Sequence, residues 1–320
     1  MNLTSTQLDR AVGAVVASAA GDALGSQYEF QRVPPDDTAL RFGRGTFGHG
    51  VGEWTDDTSM ALPVLQALAR GESLTDTATL GTIVGDWLTW SRDALDVGSQ
   101  TRAVLSGLRG VTTEESALRS ARAVHDGAGR SAGNGSLMRT GPVALGYLDD
   151  GQEPALVQAA GRIAALTHWE PDNADACAIW CLAVRHAIRT GELDVRGQVR
   201  WIPEPRRERW LGLIDEALAP ETHPRDYEPQ NVWVVKAFQG ALAAIAGATS
   251  LVDALERAVR GGRDTDTVAA IAGSLAGAVH GATAVPLSWQ RLLHGWPGLR
   301  VNDLTSLAVL AARAGQPDSA

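Results

Sequence analysis

Only two of the 320 residues are cysteine, Cys177 and Cys181, and basic residues are outnumbered: Lys plus Arg total 28 against 37 for Asp plus Glu, a formal charge of -9. Four residues apart inside the apolar run from Ala176 to Val184, the cysteines read as buried helix positions and not as a cross-link, which predicts a reducing, cytoplasmic setting. The acidic balance repels polyanions, so direct nucleic-acid binding is not expected. The N-terminus lacks the basic start and cleavage signal of a secretory peptide. Long apolar runs are scarce as well. One stretch without formal charge, Val268 to Val285, carries Gly273, Gly277 and Gly281 at four-residue spacing. It consists mostly of Ala and Gly, contains His280 and follows a cluster of acids. It therefore reads as a closely packed core helix, and no membrane partner is expected. Zinc signatures such as H-E-x-x-H or paired C-x-x-C are missing, as are G-x-G-x-x-G and the P-loop, so metal and phosphate binding must use other residues.

What is present is a helical pattern. With 44% apolar and 20% charged residues the chain can bury a large core. Apolar side chains recur at helical spacing: Leu8, Val12, Val15 and Ala19; Met60, Val64, Leu65 and Leu68; Leu80, Val84, Trp87 and Leu88; Val232, Val235, Phe238 and Leu242. No run alternates as a strand would. Thr55 before Asp56-Asp57, Pro154, Pro171 and Ser250 mark helix starts, and Gly71 marks an end. Together these predict an all-α fold of about a dozen helices. The chemical motifs described next lie at both ends of the chain and must meet to form one site, which predicts a single helical domain over residues 1–314 with a frayed tail at 315–320.

Two acidic clusters stand out. Trp54-Thr55-Asp56-Asp57-Thr58 puts a hydroxyl and two carboxylates just before an apolar helix, an arrangement that suits an N-cap as well as it suits a ligand set. Asp264-Thr265-Asp266-Thr267 repeats that chemistry at the start of a second helix, after Gly261 and Gly262. Brought together, the four carboxylates and their hydroxyls are hard oxygen donors suited to Mg²⁺ or Mn²⁺. Without cations, so much negative charge in one cleft is strongly unfavourable. Ser131-Ala132-Gly133-Asn134-Gly135-Ser136 is a Gly-rich turn that can present backbone N–H groups to a phosphate or serve simply as a structural turn.

Taken in order, Gly21-Asp22-Ala23-Leu24-Gly25, Glu29, W-T-D-D-T at 54–58, G-N-G-S-L-M-R at 133–139, Thr167-His168 and D-T-D-T at 264–267 resemble the ADP-ribosylglycohydrolase family, over about residues 10–285. The resemblance implies an orthogonal all-helical bundle with two Mg²⁺ or Mn²⁺ ions at the bottom of a cleft. The implied metal ligands are Thr55, Asp56, Asp57, Asp264, Asp266 and Thr267. Glu29 matches the family's mobile acid beside the metals. Ser131, the turn Gly133, Asn134, Gly135, Ser136, and His168 match its ADP-ribose contacts. Arg263 departs from the familiar G-G-D-T-D-T and reads as a local insertion in the entry loop.

Such a site suits hydrolysis at the ribose C1″, with Glu29 positioning a water or moving a proton as oxocarbenium character develops. In the loop Asp93-Ala94-Leu95-Asp96-Val97-Gly98, Asp96 resembles the acid that faces the guanidinium in bacterial hydrolases of ADP-ribosyl-arginine, with Gly98 beside it in the substrate site. A surface acid before a turn glycine is the plainer alternative. The expected partners are an ADP-ribosylated protein as substrate and ADP-ribose as product. The rivals are an enzyme for O-linked ADP-ribose, on serine or a small ester, and a relative that binds ADP-ribose without turnover. The ten Trp residues, Trp87, Trp90, Trp180, Trp233 and Trp289 among them, read as core, with one near the cleft able to stack on adenine; Arg206-Arg207-Glu208-Arg209 reads as a solvated helix face.

Overall fold

The computed structural model describes residues 3–129 and 131–314, so the expected tail at 315–320 lies outside the described residues. Thirteen α-helices form among them: α1 (Ser5–Gly25), α2 (Asp56–Ala69), α3 (Thr77–Trp90), α4 (Ser99–Gly107), α5 (Glu114–Ala128), α6 (Glu153–Ala165) and α7 (Pro171–Thr190) in the first part. They are followed by α8 (Glu204–Ala217), α9 (Val234–Ala246), α10 (Leu251–Arg260), α11 (Thr265–His280), α12 (Leu287–Gln290) and α13 (Val301–Ala314). The all-α expectation holds. Among the described residues the only strands are β1 (His294–Gly295) and β2 (Leu299–Arg300), an antiparallel pair in which His294 faces Arg300 and Gly295 faces Leu299.

Alanine and glycine decide where the core is tightest. α1 and α11 share the most extensive helix contact in the molecule. A methyl on Gly277 would come within 2.1 Å of the Gly13 carbonyl oxygen, and one on Gly25 within 2.4 Å of Asp266 Cα. Backbone therefore lies directly on backbone along this pair, which is the use of the four-residue glycine spacing. α11 is a buried core helix, and no helix among the described residues is long and apolar enough to cross a membrane.

The predicted boundaries at Pro154, Pro171 and Ser250 fall in the first turn or the cap of α6, α7 and α10. Two readings are corrected. Val232 belongs to no helix: α9 begins at Val234, capped by Trp233, and the preceding residues pair with the Gly-rich turn through a Gly133–Trp233 bridge. The Arg206–Arg209 face is not simply solvated, because Arg206 bonds Asp175 and Arg209 bonds Asp172, tying α8 to the first turns of α7.

Candidate active site

Because Gly25 packs on Asp266, the last turn of α1 meets the first turn of α11, and the start of α2 closes the same space. Asp22 makes this junction. Its Oδ1 accepts from Thr55 N at 2.9 Å and Thr55 Oγ1 at 2.8 Å, while its Oδ2 accepts from Thr58 N at 3.0 Å and Thr58 Oγ1 at 2.6 Å. Thr55 is the N-cap of α2 but makes no side-chain cap bond of its own; the cap is supplied across the chain by Asp22. The sequence quoted Asp22 only as part of a motif and gave it no role.

Carboxylates from three segments converge there. One oxygen each from Asp22, Asp57 and Asp266 lie within 4.8 Å of one another, and so do oxygens of Glu29, Asp264 and Asp266. Thr55 Oγ1 stands 3.0 Å from Asp57 Oδ2 and 3.4 Å from Asp266 Oδ2. Thr267 donates to Asp266 Oδ1 through its backbone N–H at 3.0 Å. Asp56 belongs to neither oxygen group; its Oδ2 accepts from Gly98 N at 3.3 Å. Asp22, its oxygens saturated by four hydrogen bonds, serves as scaffold for the others.

Burial raises the pKa of every one of these acids. For Asp57 and Asp266 the neighbouring carboxylates add to it, and for Asp56 so does Asp96. Asp22 and Asp264 are raised by burial despite the hydrogen bonds they accept. Glu29 is pushed up to about 9 by burial and then by Asp264, Asp96 and Asp56. Glu29 Oε2 and Asp57 Oδ1 are buried and find no hydrogen-bond partner among the described residues. Oxygen-only donors, surplus negative charge and unpartnered oxygens fit hard divalent cations.

A cavity of about 950 Å³ opens above the cluster, lined by Glu29, Asp56, Asp96, Gly98, Ser131, Gly133, Asn134, Gly135, His168, Asp264 and Thr267. Asn134 Nδ2 donates to Asp264 Oδ2 at 2.7 Å, which couples the Gly-rich turn to the acids. Ser136 differs from expectation. Its hydroxyl accepts from Asn173 Nδ2 at 2.7 Å and the residue is fully buried behind the turn, so its side chain is support and does not line the cavity. Ser131 Oγ bonds His125 Nδ1. Gly135 packs closely on His168: a methyl there would lie 3.1 Å from Cε1 and the ring would have to give by a few tenths of an ångström.

The buried Arg139 explains the state of His168. Its guanidinium stacks 4.1 Å over Trp87 and donates to Thr167 Oγ1 at 2.8 Å. The Thr167 hydrogen is then free for His168 Nδ1, 2.7 Å away, which assigns the ring proton to Nε2 on the side of the glycine turn. Burial and the Arg139 charge hold His168 well below its ordinary pKa, so it is a neutral donor.

The entry loop absorbs Arg263 locally. Gly262 and Arg263 have φ of +83° and +59°, and Arg263 O accepts from Phe30 N at 2.6 Å, so Asp264 keeps its post as N-cap of α11. The same bond and one from Thr46 Oγ1 to Glu29 O at 3.0 Å hold the Glu29 segment. Trp233, read as core from its spacing, is only half-buried and lines the large cavity.

A second cavity of about 470 Å³ adjoins the first, sharing Asp56 and Asp96 with it. His49, Glu53, Trp54, Trp90, Asp93 and the hairpin His294–Arg300 complete its wall. Burial raises Asp96, and the neighbouring His49 and Arg102 pull it back.

A sequence model of the family described as ADP-ribosylglycohydrolase matches residues 3–319. The chain is 28% identical over 295 residues to "ADP-ribosylarginine hydrolase Tri1" of Pseudomonas putida (strain GB-1), covering 88% of this chain and 73% of that protein. It is 30% identical over 299 residues to "ADP-ribosyl-[dinitrogen reductase] glycohydrolase" of Rhodospirillum rubrum, covering 88% and 89%. A solved "ADP-ribosylglycohydrolase-related protein complex" superposes with a TM-score of 0.74 at 28% identity, over 98% of this chain and 100% of that one.

Proposed function

The chain belongs to the ADP-ribosylglycohydrolase family, and from that membership we propose that it frees arginine side chains of modified proteins from ADP-ribose in the cytoplasm, using two divalent cations, Mg²⁺ or Mn²⁺. Hydrolysis of ADP-ribose from protein is the family's chemistry; linkage and metal are the further steps. The observation that carries the arginine reading is Asp96, whose carboxylate stands in the walls of both cavities beside the acid cluster. There it can meet a guanidinium leaving C1″ with a charge-assisted pair. Relatives with arginine and dinitrogen reductase in their names support the same choice.

Asp57, Asp264 and Asp266 would hold the cations, joined, as the family resemblance implies, by Asp56 and the hydroxyls of Thr55 and Thr267, and Asp22 fixes Thr55 for that task. When bound, the cations supply Lewis acidity toward a water and the ribose hydroxyls. The glycine turn and His168 Nε2–H offer donors to the anionic end of ADP-ribose. Glu29, in the cavity wall with Oε2 uncommitted, holds or moves the proton of the attacking water. In the net reaction hydroxyl goes to C1″ and a proton to the departing guanidine nitrogen.

A release assay on arginine-linked and serine-linked ADP-ribosyl peptides, with and without chelator, tests this. Arginine-linked peptide is expected to be cleaved and chelator to stop it. Asp96→Ala should cut turnover efficiency on that peptide about ten- to a hundredfold while ADP-ribose still binds. A preference for serine-linked peptide, or equal cleavage by Asp96→Ala, would replace the arginine assignment with the O-linked one.

A further inference from the structure

We propose that the second cavity is an acceptor subsite that takes the guanidinium-bearing side chain of the modified protein. The proposal rests on the arginine reading and deepens it. ADP-ribose fits the larger cavity, with its glycine turn and neutral His168, and the scissile bond lies over the acids. The group on the far side of C1″ needs its own space, and the space that continues past Asp56 and Asp96 is this cavity.

Its lining matches an alkylguanidinium. Glu53 and Asp93 join Asp56 and Asp96 as acids, and the indoles of Trp90 and Trp296 supply flat apolar walls. A planar cation on a short apolar stem is held by these two features together: carboxylates accept its N–H groups, and aromatic faces stack on it. Against these four acids the wall sets the exposed Arg300 and the imidazoles of His49 and His294, which leaves the acids in excess. Trp54, only 1% exposed, is part of the wall, and its Nε1, without a partner among the described residues, lies against Gly295. His49, 6% exposed, joins it there with Nδ1 likewise unpartnered.

The hairpin is fixed to the catalytic end of the fold and not to a remote surface. Trp54 N donates to His294 O at 3.0 Å and His294 N to Gly52 O at 3.1 Å, so the segment entering α2 and the segment carrying Trp296 form one ladder. The acceptor wall is thus in register with Asp56.

The test uses the full chain loaded with Mg²⁺ or Mn²⁺ and two variants, Trp296→Ala and the solvent-exposed Asp93→Asn, which does not threaten folding. N-ethylguanidine is titrated by NMR into protein saturated with ADP-ribose, and KM is measured for an arginine-linked ADP-ribosyl peptide. Binding of N-ethylguanidine to the unmodified protein is expected. It should weaken about tenfold in each variant, with KM for the peptide rising by a similar factor and ADP-ribose affinity holding within about twofold. If the unmodified protein cleaves the peptide but N-ethylguanidine does not bind, or both variants leave binding and KM unchanged, the subsite is overturned and the arginine reading stands. A protein that does not cleave the peptide overturns the arginine reading and the acceptor subsite with it, whether or not N-ethylguanidine binds.

Discussion

At the scale of single residues, Glu29 carries the sharpest expectation. It lies just past the end of α1, 6% exposed, among acids that push its carboxyl up to about 9. Glu29→Gln keeps the shape and removes the proton site. Turnover is expected to fall about a hundredfold or more while ADP-ribose binds within a few-fold, read by single-turnover release and calorimetry. Near-normal turnover would remove Glu29 from the chemistry. The acids of both D-T and D-D clusters were legible because carboxylate and hydroxyl side by side at a helix start is a compact local pattern. Asp22 was not. Its work is to cap a helix 33 residues later, and a cap supplied across the chain leaves no mark in the local spacing. Ser136 erred in the other direction: it sits in a turn that looks like a phosphate cradle throughout, yet its hydroxyl turns inward to Asn173.

At the scale of elements, the site depends on how closely α1 and α11 approach. Helix propensity alone favours Ala over Gly by about 1 kcal/mol. At the open position Gly127 in α5, where a methyl would meet nothing within 4 Å, Gly127→Ala should therefore stabilise by up to about 1 kcal/mol. At Gly277 the same change drives a methyl to 2.1 Å from a backbone oxygen of α1, which has no flexible end to yield. Gly277→Ala should destabilise by about 1–3 kcal/mol in chemical denaturation and also weaken metal affinity, since separating the helices pulls Asp266 from Asp57. Stabilisation by Gly277→Ala would contradict the contact. The helices themselves were legible, because a 3.6-residue apolar period persists along α1, α2 and α3. Where α9 begins was not: Val232 continues the period by chance, while its neighbours are held by the turn at Gly133.

At the scale of the whole molecule, six buried acids from the end of α1, the turn after it and the starts of α2 and α11 gather at one end of the fold, and their burial sets how stability responds to pH. The second cavity shows why so little of this scale reads from sequence. His49, Trp90, Asp96 and Trp296 belong to four segments that no period or motif connects. The collective charge, by contrast, has a measurable sign. Asp22, Asp56, Asp57, Asp264, Asp266 and Glu29 all hold protons more tightly folded than unfolded when no cation is bound. Folding the metal-free chain therefore takes up protons. The stability this contributes is complete below the ordinary carboxylate range and is lost as pH rises, for Glu29 between its ordinary 4.5 and about 9. Each carboxyl protonated in the fold and ionised in the unfolded chain lowers stability by about 1.4 kcal/mol per pH unit. His168, His223 and His280 act oppositely: their pKa values are lowered, so the stability they contribute is lost as pH falls below their ordinary 6.5. Above about pH 7 they are neutral in both states, which leaves the acids exposed to view. In chelator, Tm should fall between about pH 7 and about pH 8.5, and saturating Mg²⁺ or Mn²⁺ should raise Tm by a larger amount at the higher pH, because cations bind the ionised cluster and not the protonated one. A chelated protein whose Tm rises over that interval, or a metal-induced gain that shrinks with pH, would mean that the acids are already ionised without cations and that the cluster is not a metal centre.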